Sequence, residues 1–232
     1  MEYTAIMLGG IKISEPVTAC TDLVTGVISI YAFLKLRSRS QQITEALFFT
    51  YYFLFIGIAV IYSAIAGHAF FHLLNDNWKI PGWLLGGFSI LLIEYAIALF
   101  LLNSISENRK LKWIKLFPFI QFGIFLIFIF SDFRNFTIVR INSAIGFICF
   151  VLPISGILYF RNKLIGLKFI LLAIMLSLLP AVVYFKEISI HKWFNYHDLS
   201  HVLMAICIFL LYKGVYHLFH VSNSKTTIVN IV

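Results

Sequence analysis

The chain has 232 residues, 61% of them hydrophobic and 12% charged, with a mean hydropathy of +0.94. That charged fraction is about half the usual value for a soluble domain, and the apolar runs are continuous rather than alternating, which excludes a soluble globular protein and speaks against barrel strands. The net charge of +8 does not point to nucleic acid, because the basic residues cluster at the ends of the apolar runs, where they meet lipid headgroups.

Residues 1–15 are short and mildly polar, with a break at Gly9-Gly10. A first helix is expected over 16–36, with Pro16 in its first turn, where the missing N–H is not needed. No basic segment precedes it, so it reads as a retained helix rather than a cleaved signal. Further helices are expected over 45–74, 83–103, 116–130, 136–160, 164–185 and 197–220. Most have about the 20 apolar residues that a bilayer core requires. The expectation is therefore an all-α, polytopic membrane protein, with residues 1–232 forming a single seven-helix transmembrane bundle. Cys20, Cys149 and Cys207 all lie in apolar runs without a CxxC spacing and read as small buried residues. The tail 221–232 carries no recognisable signal.

Twelve of the eighteen Lys and Arg residues fall on one side of this layout: in the links after the first, third and fifth helices and in the C-terminal end. Six (Lys12, Lys79, Arg134, Arg140, Lys186 and Lys192) fall on the other. The bias predicts an N-terminus outside and a cytoplasmic C-terminus.

Two His-x-x-x-His pairs stand out: His68 with His72, near the end of the second helix, and His197 with His201, at the start of the seventh. Residues four apart on a helix share a face, so each pair can grip one ion. In the expected topology both pairs, with Asp76, Glu15, Asp22 and Asp198, lie in the outer half of the membrane. Histidine at that depth is costly unless paired, metal-bound or near water, and zinc suits imidazole ligands. Asp76 is placed to hydrogen-bond a ligand imidazole or a bound water, or else to be a solvated helix-end residue. Asp198 suits the first turn of its helix. Asp22 lies deeper and needs a partner in the bundle; Glu94 lies deeper still and belongs to a separate polar contact, or is protonated.

These features together resemble the alkaline ceramidase, adiponectin receptor and related membrane hydrolases, the ceramidase branch most of all. The run from Glu15 to Leu23, with Thr18 and Asp22, is similar to the ceramidase motif of the first helix. Gly67-His68-Ala69-Phe70-Phe71-His72 resembles the Gly-Ser-x-x-Phe-His of the second, and His197 with His201 matches the pair of the seventh. The resemblance implies a zinc ion held by His72, His197 and His201, and hydrolysis of a lipid amide such as ceramide. His68 stands where the family has serine, so it is either an oxyanion donor or a fourth ligand that closes the site. The aspartate the family carries early in its third helix has no counterpart, unless Asp76 replaces it.

Two other functions compete. One is a non-catalytic membrane protein with a structural metal site, such as a lipid sensor or receptor-like module. The other is a haem-binding electron carrier with axial histidine pairs, weakened by the matched depth of the two pairs.

Overall fold

The computed structural model describes residues 4–40, 43–104, 109–131 and 135–221. Arg134 and Lys225, both counted in the charge balance, lie outside these residues, as does the tail 222–232. The fold is all-α but for one short hairpin, β1 (Ala5–Leu8) and β2 (Ile11–Ser14). Gly9 and Gly10 form its turn with φ of 57° and 83°, the left-handed pair that a tight two-residue hairpin requires and that glycine adopts without steric cost.

Helix α1 (Pro16–Ser40) follows directly, then α2 (Thr44–Tyr62), α3 (Ile80–Ser104), α4 (Phe117–Ile129), α5 (Phe136–Ala144), α6 (Leu152–Asn162), α7 (Ile165–Leu176), α8 (Leu178–Phe185) and α9 (Tyr196–Tyr216). Joined across their bends, the described residues give six helices long and apolar enough to cross a membrane. A shorter apolar helix, Trp113–Ile129, lies between the third and fourth of them. The protein is thus a multi-pass membrane protein.

Three bends interrupt helices that the sequence suggests are straight. The first is a π-helical turn, Ser63–Ala69, continuing α2. It ends at Phe70, whose φ of −121° and ψ of 16° leave the helical region, and a single 3-10 turn, Phe71–Leu73, follows. The expected continuous helix over 45–74 therefore stops at Ala69. The second is a π-helical turn, Ile145–Val151, between α5 and α6. Pro153 lacks the N–H that would bond to residue 149, and the wider turn accommodates that loss. The third separates α7 from α8 at Ser177, because Pro180 offers no N–H to residue 176.

The core lies where α1, α2, α3, α6, α7 and α9 meet, with Phe49, Phe53, Ile93, Leu158 and Ile170 fully enclosed. Outward faces carry Ile124, Phe128, Ile157 and Leu179, as a lipid-facing surface does. Helices α7 and α9 come close at Gly166 and Gly214: a Cβ on Gly166 would lie 2.5 Å from the Gly214 carbonyl. Small residues are what allow backbones to come this near in a membrane. Glu94 is 1% exposed, deep in α3. A Cβ on Gly146 would come within 3.0 Å of its Oε1, so the glycine of the second π-helical turn leaves room for the carboxyl.

Candidate metal centre

The start of α1, the end of the π-helical continuation of α2 and the start of α9 converge at one end of the bundle. Each brings one side chain to a common point. One ligand atom from each of Asp22, His68 and His201 lies within 4.8 Å of the other two, the group of this kind found among the described residues. His201 Nδ1 is 3.1 Å from one oxygen of Asp22, and His68 Nε2 is 3.6 Å from the other.

The donor set fits a metal ion. Zinc binds nitrogen and oxygen at about 2.0–2.1 Å in a tetrahedron, which sets its ligand atoms about 3.3–3.4 Å apart. The contacts of 3.1 and 3.6 Å lie near that value, though they run to the two different oxygens of Asp22. Two imidazoles and a carboxylate also form a ligand set known for catalytic zinc and for non-haem iron. Asp22 is only 4% exposed, and a carboxylate at this depth needs cationic or metal partners.

Surrounding groups hold these three in place. Glu15 Oε2 accepts a hydrogen bond from His68 Nδ1 at 2.7 Å. That contact fixes the His68 tautomer and leaves Nε2, the nitrogen nearer Asp22, as the coordinating atom. Glu15 itself is buried and holds φ at 42°, the left-handed region, where hairpin passes into helix. Helix α9 begins with a capping box: Asn195 Oδ1 accepts from the His197 backbone, and Asp198 Oδ2 accepts from the Asn195 backbone at 2.7 Å. The second Asp198 oxygen accepts from Thr18 Oγ1 at 2.6 Å, which locks the start of α9 to α1. The Thr25 hydroxyl donates to the His201 carbonyl at 3.3 Å, and Thr21 Oγ1 lies 3.4 Å from His201 Nδ1.

The other residues suggested by the sequence are placed differently. His72 is outside the group of three; its Nδ1 lies 2.9 Å from Ser14 Oγ, at the end of β2. The reason is the break at Phe70: the spacing of four puts His68 and His72 on one face only if a helix runs unbroken between them. Asp76 is exposed and forms an ion pair with Lys79 at 2.8 Å. His197 flanks the group, its ring centroid 6.3 Å from that of His68, and rests against Tyr196 and Tyr184. Of the supporting hydroxyls, Thr18 is singled out by the motif resemblance, while Ser14, Thr21 and Thr25 escape sequence reasoning, since nothing in such a serine or threonine marks it as a neighbour of a distant histidine. The Asn195 cap is legible, because asparagine followed three residues later by aspartate is a helix-start pattern.

Residues 17–220 match the model of DUF6962, a family of unknown function. The chain belongs to that family. The match starts at the head of α1, runs through α9 and includes Asp22, His68 and His201, so the candidate centre lies within the part that defines DUF6962. No curated protein and no solved structure matches the chain.

Proposed function

We propose that this DUF6962 protein is a membrane-embedded, zinc-dependent hydrolase of an N-acyl lipid, built as a seven-helix bundle in the manner of the alkaline ceramidases. The observation that carries the proposal is the convergence of Asp22, His68 and His201 from three helices far apart in sequence. Three ligands rather than four leave one position open, as catalysis needs and a structural site does not. A bound zinc ion lowers the pKa of water and polarises a carbonyl. The chain's own residues supply the rest. Asp22, His68 and His201 hold the ion, and Glu15 keeps the His68 proton on Nδ1. His197, one turn before His201 and only partly buried, takes the proton that the attacking water loses and passes it to the departing amine nitrogen as the C–N bond breaks.

The seventh span in this reading is the shorter apolar helix Trp113–Ile129, whose first residues belong to the 3-10 segment Arg109–Leu116. Seven spans put the termini on opposite sides, and the excess of Lys and Arg assigns the C-terminus to the cytoplasm. The candidate centre then lies near the outer face. A reporter fused after Val232 is expected to be active only in the cytoplasm; activity only outside contradicts the orientation and moves the centre to the inner leaflet.

Function is tested by hydrolysis of a fluorescent N-acyl lipid in detergent micelles. Wild type is expected to release fatty acid, to stop with a zinc chelator and to resume on adding zinc. His197→Ala is expected to keep its zinc and lose about 10²–10⁴-fold in rate, the usual contribution of a positioned proton donor. Zinc-loaded wild type with no hydrolysis of any N-acyl lipid would instead support a structural metal site.

A further inference from the structure

The β1–β2 hairpin sorts its side chains onto two unlike faces. Directly paired residues share a face, and faces alternate along each strand. The pairs Ile6↔Ile13 and Leu8↔Ile11 form one face, wholly aliphatic. The pairs Ala5↔Ser14 and Met7↔Lys12 form the other, and Ser14 on that face meets His72. On the aliphatic face Ile6, Leu8 and Ile11 are 40%, 65% and 58% exposed. A two-stranded hairpin is at best marginal in water on its own, and a bare aliphatic face makes it worse.

Chain continuity says what covers that face. Glu15 alone separates the hairpin from α1, and its N–H donates to the Thr4 carbonyl at 2.8 Å, which closes the hairpin's base on the residue just before a membrane span. The hairpin is therefore held at the level where α1 leaves the bilayer. The links at this same end of the bundle expose Trp78 and Trp193, the residue type that settles at the headgroup level.

We propose that the hairpin lies on the bilayer surface, with Ile6, Leu8, Ile11 and Ile13 in the boundary between headgroups and acyl chains. Its partner is lipid, and Lys12, on the opposite face, extends to the phosphate layer. Through Ser14 and Glu15 the same element touches His72 and His68, so the lipid contact lies beside the candidate centre.

The test uses the full chain in phosphatidylcholine vesicles, with nitroxide labels on Leu8→Cys or Met7→Cys after Cys20, Cys149 and Cys207 are replaced by Ala. The label at position 8 is expected to show an oxygen-to-nickel-complex accessibility ratio several-fold above that at position 7. Equal, water-like ratios at both positions overturn the proposal. Spin–spin broadening at position 8 that grows with protein concentration also overturns it, because a second copy then covers the face. If the cysteine-free chain does not fold, Leu8→Trp in the native background serves instead. Brominated phosphatidylcholine is expected to quench the added emission, and unquenched emission contradicts the proposal. Neither measurement depends on a bound metal, so failure here leaves the hydrolase proposal standing.

Discussion

Alanine at His68 is expected to strip the protein of its metal, and alanine at His72 is not. His68 offers one of the three ligand atoms of the candidate centre, whereas His72 lies outside the group and touches Ser14. Loss of an outer partner of a metal ligand typically weakens binding about 10–100-fold, and loss of one of three ligands should exceed that range. His68→Ala, His201→Ala and Asp22→Ala are therefore each expected to weaken zinc binding by more than about 100-fold. Glu15→Ala should fall within the 10–100-fold range, because Glu15 acts by holding the His68 ring and not by ligation. His72→Ala should leave affinity nearly unchanged. Competition against a coloured chelator in detergent measures all five. The opposite order, with zinc lost in His72→Ala and kept in His68→Ala, would restore the ligand set His72, His197 and His201.

Valine at Gly166 is expected to destabilise the bundle by about 3 kcal/mol, the upper end of the usual cost of overpacking. The added Cβ would lie 2.5 Å from the Gly214 carbonyl and 2.8 Å from the Leu218 backbone nitrogen. Backbone cannot rotate out of the way as a side-chain end can, so α7 and α9 must separate. That contact fixes α9 against the bundle, and α9 carries His201. The matching control is Gly156→Val in α6, where an added Cβ meets no heavy atom within 4 Å. Thermal unfolding in detergent should place Gly166→Val far below wild type, with Gly156→Val close to it. Equal losses for the two would mean that the α7–α9 contact is not as tight as the glycines indicate.

Much of the fold is legible in the residues alone. Six long apolar helices lie where the hydropathy runs put them, because a span must be continuous and must satisfy its own backbone. The three bends are legible in part. Pro153 and Pro180 mark two of them by their missing N–H groups, but no residue announces the π-helical turn at Ser63–Ala69. That turn, ending at Phe70, decides the site. It leaves His68 in the cluster and sends His72 to the hairpin, so the spacing of four in sequence does not become a shared face in space. The hairpin is legible only at its turn, Gly9-Gly10, because Ile6, Ile11 and Ile13 are the only strand-favouring residues in its two strands. Asp22 illustrates the remaining gap. Its depth in α1 signals that it needs partners, but only the packing of α1 against α9 and the π-helical turn shows that the partners are His68 and His201.

The central claim is that Asp22, His68 and His201 hold one metal ion. Metal analysis of the protein purified in detergent, wild type beside the triple variant Asp22→Ala/His68→Ala/His201→Ala, tests it most directly, with a visible spectrum taken on the same samples. The account predicts about one zinc per chain in wild type, none in the triple variant, and no Soret band in either. Full zinc retained by the triple variant, or a wild type that stays metal-free in zinc-supplemented buffer, would contradict it.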